Sequence, residues 1–188
     1  MGLLLIDNYD SFTYNIVELL RRCHAGDVTI LKNDEVTIKL AASFDKIIVS
    51  PGPGIPAELP HVPGIIRELA PSKNILGICL GCQTIVTTFG GQLKNLPQPN
   101  HGQRKKVQVI NDHSLFKKLP NEFFVGLYHS WYIDPGSLPG CFIVTCSADE
   151  GMIMALKHEK YNIHGVLFHP ESYMTEFGEQ LMKNWLMS

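Results

Sequence analysis

Short apolar and β-branched runs recur along the chain: LLLI at 3–6, VTIL at 28–31, KIIVS at 46–50, ILGI at 75–78, VQVI at 107–110, FIVTC at 142–146, MIMAL at 152–156 and GVLF at 165–168. Several are apolar almost throughout, as strands covered on both faces are. Helical patterns fall between them. Across 11–23, Phe12, Ile16, Leu19, Leu20 and Cys23 share one face, with Ser11 or Asp10 placed to cap the start. Segments 62–70 and 81–89 read as two further helices, the second stopped by Gly90-Gly91. Near the end, Phe177, Leu181 and Trp185 recur at i, i+4 and i+8, with Glu176 and Glu179 by the positive helix start. This alternation of strand and helix predicts an α/β fold around a mostly parallel sheet. From about 105 to 157 strands dominate, which predicts a small antiparallel or mixed excursion within the same domain.

The chain has 188 residues, the usual size of one domain, and no repeat, low-complexity tract or linker divides it. We therefore expect a single domain over 1–188. A net charge of −2 and the lack of a basic run give no reason to expect nucleic acid. No window of about 18 apolar residues predicts a membrane span. The start of the chain is apolar only over Leu3 to Ile6 and carries no basic leader, so no signal peptide is expected. Gly2 lacks the Ser or Thr at position 6 that myristoylation needs. The cysteines at 23, 79, 82, 141 and 146 are odd in number and scattered, which points to reduced thiols and a cytoplasmic setting.

In open α/β sheets ligands sit beyond the carboxyl ends of strands. Three strand ends carry candidate chemistry. The first is Ser50-Pro51-Gly52-Pro53-Gly54. Proline has no backbone N–H, so Gly52 and Gly54 are the only main-chain donors of the Pro-Gly-Pro-Gly tetrad. They could aim at an oxyanion or a carboxylate; an ordinary tight turn has the same composition. The second is Gly77-Ile78-Cys79-Leu80-Gly81, the form of a nucleophile elbow with sulfur in place of oxygen. The helix that follows would set its N-terminus beside the thiol, favouring the anion, and place the Leu80 N–H near a developing oxyanion. An inert, buried cysteine fits the same residues. The third is His169-Pro170-Glu171. Pro170 holds His169 extended, so His169 and Glu171 face the same way and the carboxylate can orient the imidazole. Together the three ends supply a nucleophile, a base with its orienter, and oxyanion donors, the set that acyl transfer requires.

Cys79 and Cys82 also read as Cys-x-x-Cys. A zinc site needs about four ligands and no second pair exists, so no metal is expected. A thioredoxin-like pair would leave Gln83, the Pro-Gly-Pro-Gly turn and His-Pro-Glu without a task. Cys82 reads as a packed small residue one turn into the helix.

The segments LLIDNYDSFTYNIV (4–17), SPGPGIP (50–56), GICLGCQ (77–83), YHS (128–130) and GVLFHPES (165–172) stand in the order and spacing of a known family. The chain resembles the class I (triad) glutamine amidotransferases over nearly its whole length, and within them the small subunit shared by anthranilate synthase and aminodeoxychorismate synthase. The resemblance implies a doubly wound central sheet flanked by helices. It implies Cys79 as nucleophile, His169 as general base and acid, and Glu171 as its orienter. Gly52 and Leu80 would supply the oxyanion N–H groups, with Gly54 in the same turn. Gln83, Ser130 and Trp131 would hold the amino-acid end of L-glutamine. Ammonia would pass to a larger, chorismate-binding synthase subunit (component I), with no cofactor in this chain. From the residues themselves, the loop and helix beginning at Asn8-Tyr9-Asp10-Ser11, where aromatic and polar side chains cluster, are candidate docking elements for that subunit; Tyr9 and Phe12 simply packing the first helix is an equal reading. The sequence departs from the commonest pattern at Cys82 (often His), Leu167 (often Gln) and Trp131 (often Leu). The stretch NHGQRKKV at 100–107 matches only partly, and His101 is given no role. The alternative readings are a non-catalytic regulatory subunit, or else a cysteine hydrolase acting on another substrate.

Overall fold

The computed structural model describes residues 2–111 and 114–188. In chain order its elements are β1 (Leu3–Asp7), α1 (Thr13–Arg22), β2 (Val28–Lys32), α2 (Ile38–Ala41), β3 (Lys46–Val49), α3 (Val62–Leu69), β4 (Asn74–Ile78), α4 (Leu80–Thr88), β5 (Leu93–Val109), β6 (Glu122–Ile133), β7 (Phe142–Ser147), β8 (Ile153–His158), β9 (Ile163–Val166) and α5 (Gly178–Leu186). The strands join one sheet in the order β2-β1-β3-β4-β9-β8-β7-β5-β6. The pairs from β2 to β9 are parallel. Those from β9 to β6 are antiparallel.

The unbroken apolar runs follow from helices on both faces. In β1, Leu3 and Leu5 pack with α1 and α5 through Ile16, Leu19, Leu20, Leu181 and Trp185. Leu4 and Ile6 point the other way, with Val62, Ile65, Ile66, Ile85 and Val86 of α3 and α4. Each such side chain, removed from water, contributes about 1.5–3 kcal/mol of transfer free energy. The register then brings the candidate chemistry together. Val49 pairs Gly77, and Gly77 pairs Gly165, so the carboxyl ends of β3, β4 and β9 lie side by side.

Several elements differ from the sequence expectation. The antiparallel excursion begins at Leu93, not near 105, because β5 runs for 17 residues. Its first half is polar, carries Pro97 and Pro99, and pairs β6 across two register shifts, so it shows no strand alternation. β6 itself was not expected: Phe123, Val125 and Leu127 are buried on one face, while Tyr, His, Ser and Gly residues interrupt the pattern. The short α2, capped by the Thr37 hydroxyl accepting the Leu40 N–H, was also not expected. α1 starts at Thr13 with no side-chain cap; instead the Asp10 carboxylate accepts the Phe12 N–H, and Asp7 accepts from Asp10 and Thr13. β9 ends at Val166, two residues early. Phe177 precedes α5 in the left-handed region (φ 58°) and packs edge-on against Phe123 rather than heading the helix face. Glu176 turns away from the helix start to accept the Phe124 N–H and pair with Arg104.

Candidate active site

Cys79 sits between β4 and α4 with φ 50° and ψ −104°, a conformation costly for a residue with a Cβ. Two glycines make the turn sterically possible. A Cβ on Gly77 would lie 2.5 Å from the Gly81 carbonyl and 2.6 Å from the Cys82 nitrogen. A Cβ on Gly81 would strike the Val49 carbonyl of β3. The first turn of α4 therefore rests directly on backbone. The Cys79 N–H donates to the Val166 carbonyl at 2.8 Å, and the Cys79 carbonyl accepts from the Gln83 N–H at 3.0 Å. The elbow is thus tied to β9 on one side and to its own helix on the other.

His169 follows β9 and donates its backbone N–H to the Gly126 carbonyl of β6 at 3.1 Å. Its Nδ1 donates to Glu171 Oε1 at 2.6 Å, since the carboxylate can only accept. Both side chains are almost fully buried. Nε2 has no hydrogen-bond partner among the described residues, and Cys79 is close enough for its charge to act on the ring. Burial disfavours charge on the imidazole, but the nearby charge of Cys79 and the Glu171 carboxylate that accepts its Nδ1–H outweigh that and hold His169 well above the usual histidine range. Tyr128 stands edge-on to the ring at 4.9 Å between centroids and Phe12 at 6.0 Å, so aromatic walls fix its plane. Asp10, partly buried, is raised by that burial and feels the charges of His169 and Glu171.

A cavity of about 300 Å³ opens over Cys79. Gly52, Gly54 and Glu58 form one wall, Leu80 and Gln83 the floor, and His101, Ser130 and Trp131 the far wall. Gln83 Nε2 donates to the Trp131 carbonyl at 2.9 Å, so helix α4 and strand β6 are latched across the cavity. Every residue expected to bind substrate lines this space, together with Cys79; His169 and Glu171 are not among its lining residues. Gly54 adopts φ 81°, the left-handed conformation that makes glycine the ready choice at that point of the turn. Cys82 is fully buried, and a Cβ on Gly165 would come within 2.6 Å of its sulfur, so it fills the space left by that glycine. Burial, and secondarily Cys79, pushes its thiol far up.

Sequence reasoning missed His101, Tyr128 and His129. His101 Nε2 lies 3.3 Å from Ser130 Oγ. Tyr128 places its hydroxyl 3.1 Å from Ser172 Oγ. Burial lowers His129 to about 4, so it stays neutral on the core face of β6. For Tyr128, the YHS segment itself was the available signal.

A family model, glutamine amidotransferase class-I, matches residues 4–188. The chain is 41% identical over 186 residues to a putative anthranilate synthase component II from Haemophilus influenzae, covering 99% of this chain and 96% of that protein. It is 40% identical over 187 residues to aminodeoxychorismate synthase component 2 from Escherichia coli, covering 98% of each. Among solved structures, a putative GMP synthase subunit from Thermoplasma acidophilum superposes with a TM-score of 0.88 at 26% identity, over 100% of this chain and 92% of that one. Strand order, the Gly-x-Cys-x-Gly elbow and the match along almost its whole length place this chain in the class I glutamine amidotransferase family.

Proposed function

We propose that this chain is the glutaminase component of a chorismate-aminating synthase. Cys79 acts as nucleophile, His169 as base and acid, and Glu171 as the group that holds the imidazole. The observation that carries the reading is the buried 2.6 Å contact of His169 Nδ1 with Glu171, which leaves Nε2 to the sulfur on the elbow. The thiolate attacks the side-chain carbonyl of glutamine, and the carbonyl oxygen takes the negative charge. Gly52 and Leu80 N–H groups meet that oxygen. The tetrahedral adduct collapses, the C–N bond breaks, and Nε2–H protonates the leaving nitrogen to give ammonia. A glutamyl thioester remains. His169 then takes a proton from water, whose oxygen attacks the thioester; glutamate leaves and the thiol is restored. The cycle needs only these side chains and water. Gln83, Ser130 and Trp131 hold the amino-acid end of the substrate in the cavity.

The whole of 1–188 works as one unit in the cytoplasm, joined to a larger subunit that receives ammonia before it is lost as ammonium. Tyr9 is 54% exposed on the loop after β1, beside the half-buried Phe12 that touches His169, and this loop is the docking element for that subunit. Glutamine alone enters this chain, so the partner decides whether anthranilate or aminodeoxychorismate forms. Labelling by a glutamine-like chloroketone at Cys79, blocked by glutamine and absent from Cys79→Ala, is the expected result. Glutamine hydrolysis surviving in Cys79→Ala would overturn the assignment.

A further inference from the structure

The Ser50–Gly54 turn has few means of holding itself. Pro51 and Pro53 have no N–H, and Gly52 between them has the widest conformational freedom of any residue. A donor aimed by such a turn must be fixed from outside it. Asn8, 2% exposed at the end of β1, does this. Its backbone N–H donates to Ser50 Oγ at 2.9 Å, and its Nδ2 donates to the Ser50 carbonyl at 2.8 Å. Ser50 Oγ donates onward to the Pro51 carbonyl at 2.6 Å. The Asn8 side chain is itself held: Asn33 Nδ2 donates to Asn8 Oδ1 at 3.1 Å, and the Asn33 N–H donates to the Asp7 carbonyl at 3.1 Å. Gly52 lies directly on this bracket, because a Cβ there would come within 2.6 Å of Asn8 Cβ and its carbonyl oxygen, and 3.2 Å from Leu80 Cδ2.

We infer that Asn8 is a positioning residue of the oxyanion hole, fixing the turn so that the Gly52 N–H stays aimed beside that of Leu80. This rests on the glutaminase reading. A preorganised donor needs no rearrangement as charge develops, which is where its catalytic effect lies. The amide is needed in kind, not only in shape. An aspartate at position 8 would set a carboxylate against the Ser50 carbonyl, where Asn8 now donates. Asn33 acts one step further out, by keeping the Asn8 amide from rotating.

The test uses Asn8→Asp, Asn8→Ala and Asn33→Ala in the complex with its synthase subunit. Four quantities are read: kcat and KM for glutamine, affinity for an aldehyde analogue of glutamine, and alkylation of Cys79 by iodoacetamide. The aldehyde forms a tetrahedral thiohemiacetal and calls on the oxyanion donors; iodoacetamide alkylation does not. Both Asn8 variants are expected to lower kcat about 10–100-fold, a fraction of the loss of a whole donor. KM should change little, aldehyde affinity should fall by the same factor as kcat, and alkylation should be unchanged. Asn33→Ala should move the same quantities the same way by a smaller factor, and it decides the matter if the Asn8 variants do not fold. Wild-type kcat and aldehyde affinity in the folded variants would overturn the inference. So would parallel losses of glutamine binding, aldehyde binding and alkylation, which mark general disorder. Either failure leaves intact a wild-type enzyme that labels at Cys79, so it is distinct from failure of the glutaminase reading.

Discussion

Replacing Gly77 by alanine tests whether the elbow is fixed by backbone-on-backbone contact. The new Cβ would lie 2.5 Å from the Gly81 carbon and oxygen and 2.6 Å from the Cys82 nitrogen. Non-bonded carbons approach to about 3.5 Å, so the shortfall is about 1 Å. None of the three atoms belongs to a side chain that can swing aside. Strand β4 is buried along its whole length and paired on both sides, so it has little room to retreat. The first turn of α4 must therefore lift by about 1 Å, taking the Leu80 amide and Cys79 with it. Forcing extra volume into a packed site costs about 1–3 kcal/mol, and a misplacement of this size costs about 100-fold in rate. Urea unfolding reads the first effect and kcat in the assembled synthase the second. Gly64→Ala is the control. Gly64 is exposed in α3 with nothing within 4 Å of its Cβ position, so alanine there should stabilise by about 0.4–1 kcal/mol and leave kcat alone. A folded Gly77→Ala enzyme with full kcat would refute the steric account of the elbow.

Two further expectations concern side chains near the elbow. His169 is held above its ordinary range partly by Glu171, so its proton persists to higher pH; activity should fall as pH rises through that raised value. Glu171→Gln removes one of the raising contributions: the alkaline limb of the kcat/KM profile should move to lower pH, with kcat down about 100- to 10,000-fold, and an unmoved limb would exclude the pair. Cys82→Ser should cost about 1–3 kcal/mol in urea unfolding by burying a hydroxyl over Gly165, while one equivalent of chloroketone still labels Cys79; unchanged stability would exclude the packing role.

Much of the parallel half was legible because burial on both faces writes a continuous apolar run, and the fold puts chemistry where such runs end. Cys79, His169 and Gly52 each stand within a few residues of a run that can be read directly. The limits of the run were less legible than its existence. β9 stops at Val166, yet Leu167 and Phe168 remain apolar because they stay fully buried after pairing ends. The capping of α1 escapes the local pattern for a related reason. Asp10 does accept a backbone N–H, but the loop's geometry is set by Asp7, which is anchored by Lys32 on the neighbouring strand. A partner 25 positions away leaves no mark on a local pattern.

The far wall of the cavity shows a different limit. On β6 the alternation of period two turns Phe123, Val125, Leu127 and His129 toward the core and Tyr128 and Ser130 toward the other face. His129 breaks the apolar pattern on the first face, and Phe124, Tyr128 and Tyr132 keep the second from reading as polar, so neither face announces itself. The contact of His101 with Ser130 depends further on how β5 lies along β6. The ladder pairs Asn95 with Trp131 but Asn100 with His129, and shifts again between His101 and Gln103. A slip of one residue would turn His101 away from the cavity. In the parallel half the register is imposed by a buried face. Here, along the largely exposed β5, it is imposed by bulges, whose placement depends on the partner strand as much as on the residues that form them. Cys79 and His169 thus rest on the part of the fold that sequence specifies most strongly, and the cavity wall of His101, Ser130 and Trp131 on the part it specifies least.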